Sequence, residues 1–283
     1  MVTKTTEPGR PFGVAVSGSG EVLVSELDGN RLGRYYLPST VLNPSEVPVG
    51  TFPTDVSFSR DGSRAYVSNQ LSRSVGFVNT ATGIQVDAFG AAGSSFRVLA
   101  APDGLSVWFT NNGGGLFVLD AVTKRALSVA LDGAPNGIAL SPNAEVLYVS
   151  TMDGALYQLN PATLAILAHD SIGGTVQQVA VSPDGTKLYV ANESGALEVR
   201  NATTLTGITT VPAASGAFDV AVTPDGAQLY VSCARSGRLM VLDATTYVVV
   251  KSITGGIPRR IAFDRTGSTA VIANESNYVT FVR

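Results

Sequence analysis

The side chains able to carry acid–base or metal chemistry are sparse. The sequence of 283 residues holds one histidine, His169, and one cysteine, Cys233. A lone imidazole removes most histidine-built metal sites and leaves no second ring to assist a nucleophile. His169 follows Ala165-Ile166-Leu167-Ala168, an outer-strand pattern in which it reads as a solvated edge residue that discourages pairing with another chain. Cys233 lies two positions before Arg235, whose charge would favour a thiolate. A small buried hydrophobe closing a strand is the better expectation. One thiol also excludes an intrachain disulfide.

Other motif-like stretches fail on context. Asn112-Gly113-Gly114-Gly115 lacks the Lys-Ser/Thr pair and the helix N-terminus that a phosphate loop needs. Asp61, Asp103, Asp184 and Asp225 recur in one turn, so turn chemistry explains them better than the alternating oxygen ligands of a calcium loop. Asn192-Glu193-Ser194, Asn201-Ala202-Thr203 and Asn274-Glu275-Ser276 match the glycosylation acceptor pattern, which without evidence of secretion is a chance match. A net charge of −3 argues against a general nucleic-acid or anionic-membrane surface. No run approaches the roughly 20 apolar residues that span a bilayer. The opening MVTKTTEPGR has no apolar segment, so no signal peptide is expected in this form, and the compartment stays open.

The elements that must position any site come from a repeat. Val14, Val56, Val98, Ile138, Val179, Val220 and Ile261 sit at equivalent places, 40 to 42 residues apart. Each unit reads as four short strands. Val179-Ala180-Val181 leads into Ser182-Pro183-Asp184-Gly185, then Leu188-Tyr189-Val190; proline pre-sets φ, and glycine accepts the positive φ that re-enters the ladder. A third strand such as Leu239 to Leu242 ends in Asp243-Ala244-Thr245-Thr246, and a fourth runs into a glycine. Ala144 stands where the turn wants glycine, an unfavourable place for a side chain. Four strands per unit of about 40 residues is the signature of a β-propeller. We therefore expect an all-β, seven-bladed propeller with four antiparallel strands per blade. Blades begin near residues 11, 53, 95, 135, 175, 216 and 258, in a single domain over 1–283. The last unit stops after its third strand, so residues 2–6 are expected to supply its fourth and close the fold.

The segments SPDGTKLYVAN (Ser182 to Asn192), TPDGAQLYVSC (Thr223 to Cys233) and SPNAEVLYVST (Ser141 to Thr151) resemble the YVTN family of seven-bladed propellers, along the full length. WD-repeat propellers match less well, because one Trp and one His cannot supply their recurring dipeptides. The resemblance specifies fold rather than function, since such propellers serve as surface proteins, enzymes and enzyme subunits. It implies that ligands meet the end where the fourth-to-first and second-to-third strand loops gather. Blade 1 departs from the pattern with a longer Leu37 to Phe52 segment, the one place where an insertion could serve binding.

Register then names the candidates. Before the first-strand aliphatic stand Gly13, Asp55, Arg97, Gly137, Gln178, Asp219 and Arg260. After the second strand stand Glu26, Asn69, Asn111, Thr151, Asn192, Cys233 and Asn274. Loop arginines Arg235 and Arg259 complete the set. The binding candidates are thus Glu26, Asp55, Asn69, Arg97, Asn111, Gln178, Asn192, Asp219, Arg235, Arg259, Arg260 and Asn274. Asparagine at a strand end caps loose backbone groups, and Arg–Asp or Arg–Glu pairs between loops explain charges as well as a site does. Phe12, Phe96 and Phe218 share one register position and read as packing between blades.

Two functions compete. The first is a non-enzymatic scaffold that binds a small, anionic ligand or a protein partner, because arginine's planar fork suits carboxylates and phosphates. The second is a propeller lyase or lactone hydrolase acting on an anionic or cyclic substrate. No cofactor is evident, but a divalent metal could be held by oxygens drawn from Glu26, Asp55, Asn69, Asn111, Asn192, Asp219 and Asn274 and polarise a carbonyl. A subunit beside a redox partner ranks last, since no haem-attachment motif is present. The chain is expected to be monomeric, with no nucleic-acid partner and no membrane insertion.

Overall fold

The computed structural model describes every residue except Ala92 and Gly114; the expectation at Asn112 to Gly115 therefore falls partly outside the described residues. The described chain is all-β, with seven four-stranded antiparallel sheets and no helix long and apolar enough to cross a membrane. It forms two compact units, Met1–Ser128 with Arg260–Arg283, and Val129–Arg259.

The first unit holds blade 1 (Pro11–Val16, Glu21–Glu26, Arg31–Tyr36, Asn43–Pro48), blade 2 (Pro53–Phe58, Arg64–Asn69, Ser74–Asn79, Ile84–Gly90) and blade 3, which begins at Ser95–Ala100. It also holds blade 7, whose order is Val2–Thr6, Tyr278–Val282, Ala270–Asn274, Pro258–Phe263. The segment at the chain start is its fourth strand, with Val2 opposite Val282 and Thr6 opposite Tyr278. Val22, Val24 and Tyr35 of blade 1 pack with Val271, Val279 and Phe281 of blade 7, and the Tyr35 and Phe281 rings meet edge-on at 5.3 Å. The longer segment of blade 1 forms that blade's own fourth strand, anchored by the buried Val47.

The second unit holds blades 4, 5 and 6, whose first strands are Pro135–Leu140, Val176–Val181 and Ala217–Val222. Its core interleaves Leu197, Val199, Val220, Val231 and Leu242. The outer strand Ile166–Ser171 carries His169, which is exposed and stacked on Tyr157 at 5.8 Å.

Local chemistry explains the repeat. In the first turn of blade 5, Gly185 has φ +73° and donates to the Ser182 carbonyl at 2.8 Å. Ala144 takes the same conformation, φ +59°, a strain that the surrounding turn bonds must hold. In blades 2 to 6 the second turn is held by an Asx bond; in blade 6, Asp243 Oδ1 accepts from the amides of Thr245 and Thr246 at 3.0 and 2.7 Å.

Candidate functional site

A β-bulge recurs between first and second strands, for example between Pro53 and Asp55 and between Ala217 and Asp219. A bulge leaves an amide outside the ladder, and a hydroxyl from the second strand accepts from it. Ser25 Oγ takes Gly13 N, Thr110 Oγ1 takes Arg97 N, Ser150 Oγ takes Gly137 N and Ser232 Oγ takes Asp219 N, all within 3.0 Å. The first-strand register positions Gly13, Arg97, Gly137 and Asp219 therefore lie at the bulge, and the Ser/Thr of the YVS-like segments are their partners.

This geometry buries most candidates. Glu26, Asp55, Asn69, Arg97, Asn111, Gln178, Asn192, Asp219, Arg260 and Asn274 are all buried. The asparagines act as loop caps: Asn111 Oδ1 accepts from Gly113 N and Asn274 Oδ1 from Ser276 N, both at 3.0 Å. Asn192 Nδ2 donates to the Gly173 carbonyl at 3.1 Å. A Cβ on Gly50 would come within 2.7 Å of the Asn69 side chain, and one on Gly174 within 2.5 Å of Asn192; the glycine before the next blade leaves room for the cap. Asn192 and Asn274 are buried, which also closes them to glycosylation. Asp55 receives Arg97 Nη1 at 3.3 Å and Val98 N at 3.0 Å, and Glu26 receives Arg31 Nε at 2.7 Å, so both carboxylates already face cations. Arg260 lies over Phe12 and Phe96, 5.8 and 5.6 Å from their ring centres. Phe12 and Phe96 meet edge-on at 6.0 Å, so these two rings pack between blades as expected. Cys233 is fully buried, and burial pushes its thiol up to about 11, the behaviour of a small hydrophobe.

Two candidates reach solvent, and they share a depression of about 570 Å³ in the second unit. Glu193, Arg235, Ser236, Gly237, Ile257 and Arg259 line it. Arg259 stacks on Phe218, 4.4 Å from the ring centre, which fixes its plane. Arg235 is exposed and donates from Nη2 to Glu193 Oε2 at 2.7 Å. Glu193 is steadied in turn: Gln177 Nε2 donates to its Oε1 at 2.9 Å, and Asn136 Nδ2 donates to Gln177 Oε1 at 2.6 Å. Asn136 and Gln177 are buried and were not singled out from sequence; each directly precedes a register residue, Gly137 or Gln178, and that adjacency was the available signal. The lining carries two arginines against one glutamate. A depression of about 670 Å³ in the first unit offers a contrast, because its Arg60 and Arg64 are matched by Asp61 and Asp103.

Fold comparison agrees with the sheet pattern. The chain superposes on a hydrazine synthase chain of Kuenenia stuttgartiensis with a TM-score of 0.89 at 19% identity, covering 99% of this chain and 97% of that one. The fold is a seven-bladed β-propeller. The propeller domain of Myceliophteria thermophila Cps50 (Swd1) matches with a TM-score of 0.84 at 12% identity, covering 99% of both chains. No family model and no curated protein matches the sequence. Identities this low carry the propeller fold alone, and function has to be argued from the site.

Proposed function

We propose that this YVTN-type propeller is a non-enzymatic recognition module, and that Arg235 and Arg259 bind the carboxylate or phosphate of a small ligand or of a protein partner. The supporting observation is the depression of the second unit, where two arginines outnumber one glutamate. Both guanidinium groups are pre-positioned, one by the Asn136–Gln177–Glu193 relay and one by the face of Phe218. Pre-positioning lowers the entropy lost when a planar fork meets a carboxylate. Titration calorimetry with citrate and with inorganic phosphate tests the reading. Binding should be detected for at least one anion, and Arg235→Ala should weaken it at least tenfold with an unchanged melting temperature. An absence of heat with both anions, or equal affinity in the variant, overturns it.

A further inference from the structure

Glu7 follows the closing strand Val2–Thr6 and links two blades. Its amide donates to the Asn277 carbonyl of blade 7 at 3.0 Å, while its side chain enters blade 1 and is fully buried. There Tyr35 Oη donates to Glu7 Oε2. No donor among the described residues faces Oε1; what lies against it is the Glu26 carboxyl, whose charge acts on Glu7 and whose Oε1 shares with Glu7 Oε1 the space beside Gly33. Two carboxylate oxygens bond only through a shared proton. The backbone leaves no slack around the pair: a Cβ on Gly33 would fall on Glu7 Oε1, and one on Gly9 or Gly29 on Glu26 Oε2.

The charges around this pair do not balance if both groups ionise. Arg31 is the nearest cation; it bonds Glu26 at 2.7 Å and Glu46 at 2.9 Å, so one guanidinium serves three carboxyl groups. Tyr35 is the other titratable group against Glu7, and burial beside Glu7 raises its phenol, so it remains a donor. Further out, Arg10 is engaged by Asp28 at 3.4 Å and Glu275 at 2.7 Å. Like charges held in a dry site cannot both persist, so one group keeps its proton.

We propose that Glu7 and Glu26 form a proton-sharing latch that holds the closing strand of blade 7 to blade 1 and loosens it when the shared proton is lost. Burial, with the Glu26 charge adding to it, raises Glu7 from the usual carboxylate range to about 8 despite the Tyr35 bond. The unfolded chain loses this proton near 4.5. The latch therefore stabilises fully below about 4.5, and its contribution falls as pH rises through about 8. Cys233 titrates well above that range.

The test is the Glu7→Gln variant of the full chain, melted from pH 5 to pH 9. The glutamine carbonyl can accept from Tyr35 and its amide can donate to Glu26, so the variant mimics the protonated latch and cannot lose it. The wild-type midpoint should fall with rising pH, and the variant should lose at least half of that fall. Parallel curves overturn the proposal. Should the variant fail to fold, amide-exchange protection in the wild type decides, corrected for intrinsic exchange. Protection of Val2–Thr6 should drop at least tenfold between pH 6 and pH 9, while Val176–Val181 in the other unit should keep theirs. Uniform or absent loss overturns the latch.

Discussion

The two units handle buried charge in opposite ways. In the first, Glu7, Glu26 and Glu46 crowd around one Arg31, and burial drives the two inner carboxyls above their ordinary range. In the second, buried amides of Asn136 and Gln177 steady a glutamate, which holds an exposed arginine. Neutral amides lose far less than ions on leaving water. The second arrangement therefore keeps its charge at the surface, available to an incoming anion, whereas the first spends its charges on one another. A dry carboxyl cluster suits a structural joint; a solvated, scaffolded arginine suits recognition.

The largest way to break the joint is to remove the strand it secures. Deleting Val2 to Thr6 strips a five-residue ladder from Tyr278–Val282. At about 1 kcal/mol per ladder bond the loss is roughly 5 kcal/mol, and near 2 °C per kcal/mol for a chain of this size the melt should drop by about 10 °C. A scanning melt that leaves the midpoint unmoved would show that the strand does not carry the closure.

Removing the cation is the next largest test. Arg31→Met leaves Glu26 buried beside Glu7 with no positive neighbour at bonding distance, a change of about 3 kcal/mol at pH 7 for a mostly buried pair. The sign with pH follows from Glu26, which burial already holds above its ordinary value and which would rise further without Arg31. A raised carboxyl stabilises below its unfolded value and loses that contribution as pH rises through the folded one. The deficit should therefore shrink as pH falls to about 4. Urea unfolding at pH 7 and pH 4 checks this, and an equal deficit at both would mean that Arg31 acts through packing instead.

The contrast between units also marks what the sequence made legible. Seven four-stranded blades, the closing strand and the strained Ala144 turn were readable, because backbone chemistry repeats with the period that imposes it. Arg235 and Arg259 were readable as loop residues that the register of that repeat gathers. Glu7 was not, since it lies in the Glu7-Pro8-Gly9 connection, where a carboxylate reads as solvated loop. Its burial depends on Tyr35 and Gly33, more than 20 residues away. One signal was present: a glycine inside a strand marks a close approach, and Gly33 interrupts Arg31–Tyr36 where blade 3 has Phe117 and blade 4 has Tyr157. The burial of the register residues was hidden for a different reason. Period alone gives position along a strand, whereas the bulge that turns Asp55 and Arg97 inward depends on strand pairing.

The smallest expected effect is the most discriminating for the proposed recognition site. Glu193 plays two parts there: it orients Arg235, and it competes with any anion for the same guanidinium. Glu193→Gln separates them, because its one carbonyl oxygen can still accept from Arg235, as Oε2 does now, while the charge is gone and the Gln177 bond to Oε1 is given up. Arg235 is 67% exposed, so the ion pair should contribute no more than about 0.5 kcal/mol to stability, and the melt should move by about 1 °C at most. Citrate affinity should rise about two- to fivefold, the scale of one like charge removed at a few ångströms in water. The gain should shrink in molar salt, where screening shortens to about 3 Å. A weaker citrate complex would instead mean that the full charge of Glu193 is needed to hold Arg235, which would make the pair a closed surface salt bridge like those of the first unit.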